Sequence, residues 1–214
     1  MTVTVDQEKV LRTYAEAART AHDALTALDQ LSGDGDFGDN LREGLDGVEA
    51  GLDARPGEAP FAVAAGVFLD EVGGTSGPLI GLLFQEVGRA LAAHGDGREG
   101  WAAGVREGLA AIQRVGEAEP GDRTMVDALA PARDALDGGA GFADAARAAL
   151  AGARATADIR ARRGRASYVG ERALGAPDPG ATGVALLFWS LARVAEPDAD
   201  LGSVADAVGW PAAS

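Results

Sequence analysis

This sequence predicts an all-α fold, on three observations. Apolar residues recur at intervals of three and four almost everywhere, the period of an amphipathic helix. Alternation of apolar and polar residues is not sustained along the chain, so no strand is legible. Aromatic residues are only 5% of the chain and β-branched clusters are scarce, while alanine is abundant.

The first helix is predicted over 5–28, where Val10, Tyr14, Ala17, Ala21, Leu25 and Leu28 keep the helical spacing. Helices over 39–53 and 58–71 follow. The helix over 76–93 has a start signal: Thr75 or Ser76 can cap it, and Pro78 falls in its first turn. Trp101, Val105, Leu109, Ile112 and Val115 define a helix over 97–116. Met125, Leu129, Ala132 and Leu136 define one over 123–137, and Ala143, Ala146, Leu150, Ala153 and Ala157 one over 141–161. The eighth, 180–195, is apolar nearly all round through Val184, Leu186, Leu187, Phe188, Leu191 and Val194, which predicts the centre of the bundle. From Glu196 the chain turns acidic and then Ala/Gly-rich, and partial disorder is expected there. No internal repeat or Pro/Ser-rich linker divides the chain. The expected organisation is a single domain over 1–196 with a C-terminal tail over 197–214.

At 214 residues the chain is long enough to bury about 70% of its unfolded surface. Its 47% apolar and 24% charged residues are those of a soluble globular domain. The net charge of −14 argues against a nucleic-acid-binding surface, which needs a basic stripe, and against docking on an anionic membrane. No cysteine is present, which excludes disulfides, thiolate metal sites and a Cys nucleophile. Neither a basic leader with an apolar run nor an apolar stretch of ~20 residues is visible, so a cytoplasmic protein is expected.

Glycine is the compositional anomaly. Its 31 residues are about twice the usual share, in a fold where each glycine inside a helix costs about 1 kcal/mol. Several cluster between the predicted helices, in Gly33-Asp-Gly-Asp-Phe-Gly38, in Gly73-Gly-Thr-Ser-Gly77, at Gly164 and in Asp178-Pro-Gly180. One such loop is an ordinary helix end. Four of them carrying Asp, Thr or Ser point to a site where backbone approaches a ligand.

The most informative segment runs from Leu28 to Asn40. Asp29, Asp34, Asp36 and Asp39 lie within eleven residues at a helix–loop–helix junction. Like charges this close repel, and a hard divalent cation such as Mg²⁺ removes the conflict. An EF-hand is excluded: counted from Asp34, the fifth, sixth and twelfth positions are Gly38, Asp39 and Leu45. Thr75 and Ser76 open a helix whose N-terminal N–H groups suit an anion. The Walker A pattern and a strand-borne G-x-G-x-x-G are both absent. Gly121-Asp-Arg-Thr-Met-Val-Asp-Ala-Leu forms a third segment. Five arginines between Arg160 and Arg172 form a fourth, and guanidinium groups suit phosphate. His22 and His94 have no Ser or Asp arrangement of a catalytic kind and read as surface or structural residues.

These five segments, in this order and ending on Asp178-Pro-Gly-Ala-Thr, resemble the nucleotide-binding L subunit of dihydroxyacetone kinase. The resemblance spans about residues 5 to 195. It implies a barrel of eight antiparallel helices with a nucleotide site at one end. It implies two Mg²⁺ on Asp29, Asp34 and Asp36, bridging the phosphates of ADP or ATP. It places Gly38, Asp39 and Asn40 where the family's loop touches the nucleotide, and Thr75 and Ser76 at the phosphates. Gly121, Thr124 and Met125 fall near the base, and Arg165, Asp178, Pro179 and Gly180 match further contacts. Phe37 stands where the phosphotransferase-dependent subunits usually carry His, so no polar contact is carried over to that position.

The resemblance also implies a division of labour. Dihydroxyacetone sits on a separate K subunit, and this chain delivers phosphate without a catalytic residue or covalent intermediate of its own. The phosphoryl group comes either from a phosphohistidine protein of the phosphotransferase system or from ATP exchanged from solution. Relatives act on other short ketoses and, more distantly, on fatty acids. A non-catalytic nucleotide-binding regulatory module and a purely structural bundle are the alternatives.

Overall fold

The structure, a computed structural model, describes residues 4–164 and 166–209. Eight long helices dominate it: α1 (Gln7–Ser32), α2 (Phe37–Ala54), α3 (Pro60–Asp70), α4 (Ser76–His94), α5 (Arg98–Gly116), α6 (Val126–Asp137), α7 (Phe142–Ala155) and α9 (Pro179–Ala195). Two short ones complete it, α8 (Ala166–Val169) and α10 (Val204–Val208), with single 3₁₀ turns at Thr156–Asp158 and Gly170–Ala173. The described residues contain no strand. None of their helices is long and apolar enough to cross a membrane.

Each long helix packs on the one before it, and α9 packs on both α7 and α1. The eight therefore form a closed ring. Up-and-down alternation around it places every second connection at the same end. Residues 33–36, 71–75, 117–125 and 156–178 share one end; 55–59, 95–97 and 138–141 share the other. The ring closure explains α9. Its residues Pro179 to Ala192 are all buried, as an all-round apolar helix requires. The helix is nevertheless a member of the ring rather than its centre. It is enclosed because α6 also packs on it and α10 covers it together with α1. Tyr14 ties the closure by donating its hydroxyl to the Gly183 carbonyl at 2.8 Å in the buried interior.

The tail also differs from expectation. Leu201, Ala207 and Val208 are buried in the core cluster, and Ser203 and Asp206 make a capping box for α10. Residues 210–214 lie outside the described residues.

The glycine excess divides between two uses. Some glycines serve the loops, as predicted. Others sit on helix faces where axes come too close for a side chain. A Cβ on Gly108 would meet Leu83, and one on Gly152 would meet the Asp127 carbonyl. Small faces bury little area each, so a larger apolar cluster compensates where α3, α4 and α5 meet. Phe61 packs edge-on against Phe84 and Trp101, with ring centroids 5.6 and 5.2 Å apart.

Candidate functional site

The glycine-bearing connections meet at one end of the barrel around a cleft with about 980 Å³ of empty space, part of it open to solvent. Asp29, Asp34, Asn40, Thr75, Ser76, Thr124, Met125, Asp178, Pro179 and Gly180 line it, and all ten were expected at a site. Phe37, Leu79 and Ile112 add an apolar wall that the motif reading did not foresee. Phe37 fits because Gly183 opposite has no side chain, and a Cβ there would strike the ring.

Buried acids shape the loops. α1 runs one turn further than its apolar pattern, to Ser32, so Asp29 stands on the helix and not in the loop. One of its oxygens, Oδ2, accepts the N–H groups of Gly35 and Phe37 at 2.9 and 3.1 Å, which folds residues 33–36 back over the helix end. Asp127 does the same from the start of α6, which begins at Val126 rather than 123. It accepts from Gly121 N–H at 2.6 Å and from Thr124 N–H at 2.8 Å. Gly121 has φ +95, a conformation that L side chains rarely adopt, so glycine is required there. Asp178 caps α9 through the Ala181 N–H at 2.8 Å, with Pro179 in the first turn. Burial pushes its carboxyl up to about 6; Asp127 and Asp29 push the same way, against the Ala181 N–H and Arg123.

The remaining expected residues fall elsewhere. Gly38 is buried against α1, where a Cβ would collide with Thr26 and with the His22 carbonyl, so it sets helix spacing and does not face the cleft. Asp39 is bound to His22 Nε2 at 2.9 Å and to Arg42 at 2.8 Å; its hydrogen bond with His22 raises the pKa of the imidazole and lowers that of the carboxyl. Gly121 and Asp36 do not line the cleft. Arg165 lies outside the described residues. Thr75 occupies the cap position of α4, but its side chain makes no cap hydrogen bond, unlike the capping role expected of it.

Asp34 and Asp36 are exposed, whereas Asp29 is buried. Among the described residues no three His, Asp or Glu side chains converge as a ready cation cage. Asp36 precedes α2 without spending its carboxylate on a cap. Arg123 is a cleft residue that the motif reading did not single out. It is buried, lines the cleft, and was hidden inside a segment read through its neighbours Gly121, Thr124 and Met125.

The model of the DAK2 domain matches residues 31–193. The L-erythrulose 1-kinase of Mycolicibacterium smegmatis is 38% identical over 195 residues, 85% of this chain and 34% of that protein. The ADP-binding subunit DhaL of PEP-dependent dihydroxyacetone kinase 1 from Listeria innocua is 35% identical over 195 residues, 88% of this chain and 97% of that one. The crystal structure of the dihydroxyacetone kinase from C. freundii in complex with AMP-PNP and Mg²⁺ superposes with a TM-score of 0.68 at 28% identity, covering 86% of this chain and 33% of that one. The chain thus spans about a third of the erythrulose kinase and of the crystallised kinase, and nearly all of the Listeria subunit.

Proposed function

The chain belongs to the DAK2 domain family, and from that premise we propose that it is the nucleotide-binding, phosphoryl-transferring subunit of a dihydroxyacetone kinase. It carries ADP or ATP with magnesium in the cleft and delivers phosphate to a ketose held on a separate K subunit. One observation carries this reading: the acidic loop, the start of α4 and the start of α9 are far apart in sequence and line one cleft. The Listeria relative is an ADP-binding subunit, and the crystallised relative holds AMP-PNP and Mg²⁺, which supports it.

The donor set suits magnesium. Carboxylate oxygens are the hard ligands this ion takes. Asp29 has an oxygen beyond the one that holds the loop, and Asp36 spends none on a cap. Among the described residues, Asp29, Asp122, Asp127 and Asp178 are buried at this end against one buried cation, Arg123. A divalent ion offsets that imbalance. Asp29, Asp34 and Asp36 would hold two such ions, whose chemistry when bound is to neutralise charge on the β- and γ-oxygens.

The chain's own residues position the ligand. Thr75 and Ser76 present a hydroxyl and the N-terminal N–H groups of α4 to phosphate. Met125, Leu79 and Ile112 form an apolar wall for the base and exclude water. Asn40, Gly180 and Arg165 supply further contacts, while Gly38, Asp39 and Gly121 act from behind by fixing the loops. Phe37 is buried and offers no polar group at the position usually held by His. Catalysis is then positioning and electrostatics, with no covalent step on this chain.

Gently purified protein should retain ADP, detected by mass spectrometry. With its co-encoded K subunit it should phosphorylate dihydroxyacetone, using ATP or a phosphohistidine protein of the phosphotransferase system as donor. Transfer to erythrulose alone would reassign the ketose. Retained ADP without transfer alongside any K partner would favour the regulatory module. Failure to bind Mg-ADP at all would sink both readings.

A further inference from the structure

Arg123 has no role in the mechanism above, yet it concentrates several costs in one residue. Its backbone is left-handed, with φ +64, a region that disfavours any residue carrying a Cβ. Its side chain is 1% exposed. Burial lowers the pKa of its guanidinium, and charge from Asp178 opposes the fall. No carboxylate among the described residues hydrogen-bonds to it. Its partners are three main-chain carbonyls: Nε donates to Thr156 at 3.2 Å, and Nη2 donates to Ala173 at 2.8 Å and to Ala176 at 2.9 Å. Two of its five N–H donors, both on Nη1, are left over. Nη1 is buried, has no hydrogen-bond partner among the described residues, and belongs to a side chain lining the cleft.

A buried charged donor without an acceptor costs more than the net worth of an ordinary hydrogen bond, so its persistence needs a reason. The three carbonyls supply part of it. They lie at both ends of the connection between α7 and α9, and the Arg162 N–H donates to the neighbouring Asp122 carbonyl at 3.1 Å. Residues 122 and 123 thus pin the arginine-bearing connection at its start, its middle and its end. The unpaired nitrogen lies on the side of the guanidinium opposite the Nε–Nη2 edge that the carbonyls occupy.

We infer that Arg123 is a ligand-contacting residue of the cleft, whose Nη1 donates to an anionic phosphate oxygen of the bound nucleotide while its other nitrogens hold the 156–176 connection in place. An anionic oxygen is the acceptor that best compensates a buried guanidinium, because charge-assisted hydrogen bonds are about twice as strong as neutral ones. The inference rests on the nucleotide reading above. It adds a consequence of its own: filling the cleft tightens the connection, because one side chain serves both.

The test uses the full chain with Mg²⁺ and compares wild type with Arg123→Gln and Arg123→Lys. Affinities for ADP and for adenosine are measured by calorimetry, and trypsin cleavage between Arg160 and Arg172 is followed with and without Mg-ADP. In wild type, Mg-ADP should slow that cleavage. Arg123→Gln should bind ADP at least tenfold more weakly, bind adenosine within twofold of wild type, and lose the protection. Arg123→Lys, which keeps the charge without the fork, should fall between and carries the same comparison if the Gln variant does not fold. ADP affinity within twofold of wild type in a folded variant would overturn the inference. So would equal losses for ADP and adenosine, which mark a structural or base-side role. A wild-type protein that binds no Mg-ADP would remove the nucleotide reading itself, and this inference with it.

Discussion

At the end of the barrel away from the cleft, several charged groups are matched locally. Glu196 accepts the first N–H groups of α7, from Phe142 at 2.8 Å and Ala143 at 3.1 Å. Arg106 pairs with Asp137, and Arg98 donates to the Gly139 carbonyl. None of these ionisable groups is fully buried. Among the described residues at the cleft end, Asp29, Asp122, Asp127, Asp178 and Arg123 are all buried, the buried acids outnumber the buried base, and a guanidinium nitrogen is left without an acceptor. Both ends are loops between helices of one ring. The contrast shows charge spent between exposed neighbours at one end and buried charge kept around a cleft at the other. Sites of this kind are commonly less stable than they could be.

The comparison can be broken most sharply at the acidic loop. Asp34→Asn with Asp36→Asn should weaken Mg-ADP binding by about a hundredfold, about 2.7 kcal/mol, and leave the melting temperature of the ligand-free protein unchanged or slightly higher. Because ligand stabilises by mass action, Mg-ADP should raise the melting temperature of wild type but not of the double variant. An equal rise in both would mean that the loop does not grip the ligand.

Asp178 offers a finer test, through pH. Its carboxyl is lifted by burial from an ordinary 3.8 to about 6. An acid whose pKa rises on folding favours the folded state while protonated. Its contribution is complete below about pH 4 and gone once pH passes about 6. Asp178→Asn retains a capping side chain and removes that loss. The ligand-free variant should therefore gain on wild type as pH rises from 4.5 to 7, while binding Mg-ADP more weakly. Parallel melting curves across that range would show that Asp178 carries no such strain.

The smallest effect belongs to the opposite end. Glu196→Ala removes the acceptor from the start of α7 and should cost about 1 kcal/mol, or about 3 °C in melting temperature. Mg-ADP affinity should stay within twofold of wild type. A larger loss of affinity would mean the two ends are coupled through the barrel.

Much of this was legible before any coordinates. The eight long helices follow from three-and-four spacing, with ends displaced by a few residues where capping chemistry outweighs the apolar pattern. α1 reaches Ser32 because Asp29 organises its last turn, and α7 stops at Ala155 because Thr156 turns the chain into a 3₁₀ turn. The cleft residues Asp29, Asp34, Thr75, Ser76 and Asp178 were marked by clustered acids, a hydroxyl pair and a Pro-Gly helix start. Gly38 was not separable from the loop glycines, because a glycine needed for helix contact and one needed for ligand approach are the same letter. Arg123 gave no signal, since burial and a missing acceptor are properties of its surroundings.

The sequence by itself determined the helices, the acidic loop and the absence of cysteine chemistry, because these depend on local periodicity and on side-chain type. Only the tertiary structure decided that α9 closes a ring with α1, that every second loop therefore meets at one end, and that Arg123 faces the cleft. Each of those depends on contacts between residues far apart in the chain, and the distance between them in space is not written in their spacing along it.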